Sequence, residues 1–154
     1  MIPTRDDIIA LLDARDPLAA AEGLQRPTEV TWARGTGDDA GVEVLRYGAG
    51  TTSDEIADRL LELAATPGLR VVRLVPAADT PDRPGSWGNE DLLVTAVTRR
   101  VLPHVAIRPD WEAIGGAACQ VAVSFGADDW VIPEGDDADP DRLARAVGAR
   151  AVAR

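Results

Sequence analysis

Short strand patterns alternate with amphipathic helix patterns along this chain of 154 residues, and that alternation restricts the folds open to it. Ile56, Leu60 and Leu63 recur at helical spacing, whereas residues 70–75 form the nearly continuous apolar run typical of a strand covered on both faces. Strands that alternate with helices are joined by right-handed crossovers, which make neighbouring strands parallel. The chain is therefore predicted to be an α/β protein with a parallel sheet.

Local signals place the individual elements. Thr4 precedes Asp7 by three residues, and Thr52 precedes Glu55 by the same spacing, which predicts a capping box at the start of each helix. A helix capped by Asn89 and a helix over residues 112–125 follow, and the pair at 139–140, aspartate then proline, opens the last helix. The predicted strands are residues 29–33, 42–47, 70–75, 104–107 and 130–132.

The charge balance excludes several classes of partner. The net charge is -10, and every one of the 16 basic residues is arginine. Nucleic acids and anionic membranes need a basic surface, so neither is expected to be a partner. The chain also lacks a signal-peptide pattern and an apolar run long enough to span a bilayer, which predicts a cytoplasmic protein.

The residues that most often carry chemistry are predicted to be structural here. Cys119 is the only cysteine, so the chain has no spacing for zinc or an iron–sulfur cluster, and its thiol lies in a helix of small residues. His104 is placed at the start of a strand, away from the strand ends where barrel-type sites gather. Asp128 and Asp129 point to opposite sides of an extended chain and cannot readily share one ion. We therefore predict no catalytic residue, no metal and no cofactor.

Candidate binding residues lie at the predicted carboxyl ends of the strands, where α/β sheets bind ligands. The alternative for these residues is ordinary loop polarity. Two tryptophans on predicted loops are candidate interface anchors instead. The ligand candidates are Tyr47, Thr51, Thr52, Arg108, Asp110 and Trp111, and the interface candidates are Trp87 and Trp111.

Residues 120–129, which read Gln-Val-Ala-Val-Ser-Phe-Gly-Ala-Asp-Asp, resemble the C-terminal signature of the radical S-adenosylmethionine enzymes of the futalosine route to menaquinone. Aminofutalosine synthase and cyclic dehypoxanthinyl futalosine synthase are the most similar members. Other segments resemble the family in the same order along the chain, namely residues 8–21, 30–33, 45–48, 51–55, Pro76, 79–81, 101–104 and 148–154.

The resemblance covers only the outer parts of that family. Between Arg34 and Gly41 the family has a long segment with the three-cysteine loop that holds its iron–sulfur cluster, and this chain lacks it. One cysteine cannot hold the cluster, so radical chemistry is excluded. The resemblance implies a single domain over residues 1–154, folded as a partial (half) TIM-barrel-like parallel sheet of about five strands with outer helices.

An open piece of a barrel exposes strand edges and an apolar inner face, and both favour association. The resemblance therefore implies a non-catalytic pseudoenzyme linked to menaquinone biosynthesis, which acts as an assembly or regulatory partner. It would form a homo-oligomer or bind a full-length paralogous enzyme. The alternative is a cofactor-independent binder or enzyme for a nucleoside-like, futalosine-type small molecule. A truncated relative without function is a third interpretation.

Overall fold

A computed structural model describes residues 2–35, 40–77 and 88–154. Within those ranges the strands are β1 (Glu29–Arg34), β2 (Val42–Tyr47), β3 (Val71–Pro76), β4 (Ala106–Pro109), β5 (Asp129–Ile132) and β6 (Arg150–Ala153). The α-helices are α1 (Arg5–Ala14), α2 (Pro17–Ala21), α3 (Ser53–Ala64), α4 (Gly88–Val101), α5 (Trp111–Ala122) and α6 (Pro140–Ala146), and a short 3₁₀ turn, Val123–Phe125, follows α5.

The strands form two parallel sheets of three strands each. The β1 sheet has the order β5-β1-β6, and the β2 sheet has the order β2-β3-β4. The prediction of an α/β fold with parallel strands is confirmed. The structure differs from the expected sheet of about five strands in that its strands divide into two sheets of three, and no closed barrel forms among the described residues.

The two sheets meet where β4 lies beside β5. The Asp128 amide donates to the carbonyl of Ile107 at 3.2 Å, and the Ile107 amide donates to the Asp128 carboxylate at 2.9 Å. A side-chain oxygen therefore accepts the bond that a neighbouring carbonyl would accept in a continuous ladder. This substitution accounts for the break between the sheets.

Each sheet packs its own hydrophobic cluster against helices. Leu45, Leu74 and Ile107 join a cluster that includes α1, α3 and α4 residues, whereas Val30 and Trp130 join a second cluster with residues of α5 and α6. Successive residues of a strand point to opposite faces, so the strand residues that alternate with these cluster residues lie on the other face of the sheets. The sheets thus have one face packed on helices.

The residues of the other face belong to neither hydrophobic cluster. We call this side the arginine face, because its valines are mostly half-buried while Arg46 and Arg73 are exposed. The arginine face consists of Val42, Val44, Arg46, Val71, Arg73, Val75, Ala106, Arg108, Asp129, Val131, Thr31, Ala33, Val152 and the terminal Arg154.

Helix starts agree with the sequence at several positions. Thr4 and Asp7 form the predicted reciprocal box, the Thr52 hydroxyl accepts from the Glu55 amide at 3.1 Å, and Asp139 caps α6. Other bounds differ. Strand β4 starts two residues later than predicted, since Pro103 and His104 form a turn, and α4 begins ahead of Asn89. Strand β6 was not predicted.

Helix α5 differs from the predicted helix 112–125 at both ends. It starts at Trp111 and is interrupted at Gly115, where φ is 85°. Glycine adopts this left-handed conformation without steric cost. The last predicted turn is the 3₁₀ turn that precedes Gly126. No helix in ranges 2–35, 40–77 and 88–154 is long and apolar enough to cross a membrane.

Candidate functional site

The six candidate ligand residues lie in three settings around the carboxyl ends of β2 and β4. Tyr47 ends β2, and Thr51 and Thr52 lie in the turn between β2 and α3. Arg108 lies within β4, while Asp110 and Trp111 begin α5. Trp87 and residues 79–81 lie outside the described residues. Whether any candidate binds a ligand or a partner stays a prediction.

Tyr47 is buried together with an acid that the sequence analysis missed. Its hydroxyl donates to the Asp91 carboxylate at 2.6 Å, and the two residues are 2% and 4% exposed. Burial raises the pKa of the tyrosine, and the neighbouring charge of Asp91 raises it further. Tyr47 therefore stays a neutral hydrogen-bond donor at physiological pH and cannot act as a base.

A polar stripe along α4 could have pointed to Asp91. Asp91, Thr95 and Thr98 recur at spacings of four and three, which places them on one side of a helix. All three are buried, and the Thr95 hydroxyl donates to the Asp91 carbonyl at 2.7 Å. The Thr98 hydroxyl is buried without a hydrogen-bond partner in the described structure.

A cleft of about 460 Å³ lies next to Tyr47, between α1, α3 and α4. Its floor is apolar, with Leu12, Ile56 and Leu93, and its rim carries Arg15 and Glu90. Partial burial raises the pKa of Glu90, the charge of Asp91 adds to this, and Arg15 opposes it. The other lining residues are Gly48, Ala49, Gly50, Thr51, Ser53, Asn89 and Val94.

Of the two threonines, only Thr51 lines this cleft. The Thr52 side chain instead caps α3, since it accepts from the amide of Glu55 and lies within 3.2 Å of the Glu55 carboxylate. The cleft thus combines an apolar floor with one cation and one acid. Such a lining suits a small amphipathic molecule.

Asp110 and Trp111 fix the start of α5. The Asp110 side chain accepts from the amide of Ala113 at 3.3 Å, as an N-cap residue does. Trp111 is 5% exposed, its indole nitrogen donates to Asp136 at 2.9 Å, and its ring meets Trp130 edge to face at 5.8 Å between centroids. The indole hydrogen bond lowers the pKa of Asp136.

Arg108 is buried in a charge cluster on the arginine face. Its Nε donates to the Asp129 carboxylate at 2.7 Å, and the terminal Arg154 contacts the second oxygen of the same carboxylate. Asp128 points to the other side and pairs with Arg99 at 3.1 Å. The adjacent acids therefore serve different partners, as the strand alternation predicts.

Cys119 and His104 lie in different settings, the thiol in the interior and the imidazole at the surface. The thiol is fully buried, and burial raises its pKa, with a smaller contribution from Asp110 and Asp91. The thiol is therefore protonated, which is the unreactive form. His104 is exposed in the turn before β4.

Within ranges 2–35, 40–77 and 88–154, no group of three His, Cys, Asp or Glu side chains is placed to hold a metal ion. No protein-family model matches the chain, and a search of curated proteins found no significant relative.

Proposed function

We propose that this chain is a non-catalytic, shortened relative of the menaquinone-pathway radical enzymes, which works in the cytoplasm by assembling on a larger protein. The order of the strands supports a barrel origin. In a closed eight-stranded barrel the last strand pairs with the first, and here β5 pairs with β1 while β4 lies beside β5. The spatial order β2-β3-β4-β5-β1 is the one expected of such a barrel's final strands followed by its first, and β6, which pairs with the other edge of β1, departs from it.

The observation that carries the assembly role is the arginine face. In a complete barrel, layers of side chains from all strands fill the interior. Here Val44, Val75 and Val131 are half-buried and belong to neither hydrophobic cluster. A protein surface laid against these valines would complete their burial, which stabilises association by about 25 cal/mol per Å² of apolar area.

The charge of this face favours a different protein over a second copy. Arg46 and Arg73 are exposed and make no ion pair among the described residues. Two copies that met symmetrically through this face would bring like charges together, which costs free energy in an interface. We therefore assign the face to an acidic surface of a larger partner, such as a full-length paralogous enzyme.

The test compares two variants that add the same charge. Val44→Glu alters the arginine face, whereas Val121→Glu alters an exposed position on α5. We expect a partner protein to co-purify from the native host with the wild type and with V121E but not with V44E. The purified partner should then bind the purified wild type directly. Equal recovery with V44E, or a stable homo-oligomer in sedimentation experiments, would contradict this role.

The cleft beside Tyr47 favours a second candidate function, which is the binding of a nucleoside-like, futalosine-type molecule. Its volume of about 460 Å³ lies in the range of small-molecule sites. A ligand that binds only the folded state must raise the melting temperature. Futalosine-type nucleosides should therefore raise the melting temperature of the wild type, and the absence of any rise at millimolar ligand would reject this candidate.

A further inference from the structure

We propose that Arg46, Arg73 and Arg108 form a binding site for the phosphate group of a small phosphate monoester. The site lies on the arginine face of the β2 sheet, where a bound phosphate would compete with the acidic surface of the partner proposed above, and it is measurable on the isolated chain without that partner.

The strand register brings the three arginines together. Arg73 of β3 is the direct cross-strand partner of Arg108 of β4, and on its other side it faces Val44 of β2. Neighbouring strands lie about 4.8 Å apart, so residues 73 and 108 are adjacent on one face. Arg46 lies two residues beyond Val44, which makes it a diagonal neighbour of Arg73 at about 7–8 Å, within reach of a long side chain.

The described residues leave this positive charge largely unpaired. Arg46 and Arg73 make no hydrogen bond or ion pair there, and Arg108 uses only its Nε, on Asp129. Asp129 is also shared with Arg154, so two guanidinium groups surround one carboxylate. Like charges directly opposite each other destabilise a sheet. An anion between them would remove that repulsion.

The number and kind of donors favour a phosphate monoester over a carboxylate. One guanidinium already satisfies a carboxylate bidentately, whereas three can contact the several oxygens of a dianionic phosphate. Val44 and Val75 are half-buried beside the arginines and offer apolar contact to the organic part of an ester. Arg46 and Arg108 are also the penultimate residues of their strands, close to the carboxyl ends where α/β sheets bind ligands.

The test uses the full chain with inorganic phosphate and phenyl phosphate at neutral pH. Calorimetry should show saturable binding of both, with phenyl phosphate the tighter ligand. Amide resonances of residues 44–46, 73 and 106–108 should shift in NMR spectra. Arg73→Gln should weaken both affinities by about tenfold or more, because a charge-assisted hydrogen-bonded pair is lost.

Arg145→Gln is the matched control, since it removes the same charge from an exposed position in the last turn of α6. It should leave both affinities within about twofold of the wild type, because a single distant charge is screened at physiological salt. The proposal is overturned if the wild type shows no saturable binding, or if R73Q and R145Q weaken it equally. If phenyl phosphate bound no more tightly than inorganic phosphate, the valines would have no role in binding, and the proposal that the ligand is an ester would be rejected.

Discussion

At the scale of single residues, two buried carboxylates among the described residues are held by specific side-chain contacts. Tyr47 donates to Asp91, whereas Arg108 and Arg154 pair with Asp129. Removing one partner of a buried charge leaves that charge unsatisfied, which costs more than the hydrogen bond itself contributes. A substitution at an uncharged partner such as Tyr47 therefore measures the cost of leaving a buried charge without its contact.

Tyr47→Phe tests this at the most buried pair. The change removes only the hydroxyl that donates to Asp91 at 2.6 Å and keeps the ring. We expect the free energy of unfolding to fall by about 3 kcal/mol, at or above the upper end of the value of a hydrogen bond to a charged group, because Asp91 is left buried without a partner. Urea denaturation measures it.

The matched control is the double variant Tyr47→Phe/Asp91→Asn, in which the buried group carries no charge. It should be less destabilised than the two single substitutions predict by addition, because Tyr47→Phe alone leaves a buried charge without a partner and the double variant carries no such charge. Full additivity would show that the two side chains do not interact.

At the scale of elements, α5 is held at its start by contacts from outside the helix. Asp110 caps it, and the Trp111 indole reaches Asp136 in the segment between β5 and α6. Gly115 then interrupts the helical conformation after one turn. The first turn therefore depends on its side-chain contacts more than on continuity with the rest of α5.

The contact between Trp111 and Asp136 predicts a pH dependence. The folded state lowers the pKa of Asp136, so this carboxylate contributes stability above the ordinary aspartate pKa of about 3.9, and the contribution is lost as the pH falls through the lowered pKa. The Trp111 indole N–H resonance should follow this titration in NMR spectra, with a midpoint below that of ordinary aspartate.

Trp130 provides the internal control, because its indole donates to the Cys119 carbonyl at 3.2 Å, a group that does not titrate. Its resonance should move much less than that of Trp111, because it senses Asp136 only through the ring contact between the two indoles. If both indole signals move equally, the change reflects unfolding and the assignment to Asp136 fails.

At the scale of the whole molecule, Arg99 connects the two sheets. From α4 its guanidinium donates to the carbonyls of Val105 and Gly126, and it pairs with Asp128, whose carboxylate bridges β4 and β5. The side chain is 11% exposed. Burial lowers the pKa of Arg99 and raises that of Asp128, with each charge opposing the effect on the other.

Arg99→Gln should therefore destabilise the protein by about 1.5–3 kcal/mol, because it removes charge-assisted hydrogen bonds, while Asp128, whose side chain is 32% exposed, can still reach water. The control is Arg59→Gln, at a position that is 30% exposed and pairs with exposed acids, which should cost less than about 1 kcal/mol. Thermal unfolding followed by calorimetry measures both. Equal effects of the two substitutions would show that Arg99 does not join the sheets.

Much of the fold was predictable because its signals are local. The caps at Thr4, Thr52 and Asp139 and the strand at 42–47 follow from neighbouring residues alone. Strand β6 was missed because its four residues carry a weak strand pattern and are fixed by pairing with β1, more than a hundred positions earlier. The split between the sheets depends on the Asp128 side chain, which a pattern of apolar residues does not reveal.

The candidate site was less predictable than the fold, because its side chains come from segments that are distant in the sequence. Arg108 was identified from its place at a strand end, whereas Arg46 and Arg73 gain meaning only from the register that sets them beside it. Asp91 was hidden within a helix of apolar residues, and only its partner on β2 shows why a charge is tolerated there. Side-chain roles that depend on contacts between distant segments need the structure.

The presence of two separate hydrophobic clusters has a consequence for how this chain tolerates change. Most residues of each sheet lie in that sheet's own cluster, so a substitution deep in one interior should spare most of the packing in the other. Helix α5 is the exception, because Ala122 belongs to the first cluster and Cys119 to the second. A change of side-chain volume in α5 should therefore be felt on both sides of the molecule, whereas one in α3 or α6 should be felt on one side.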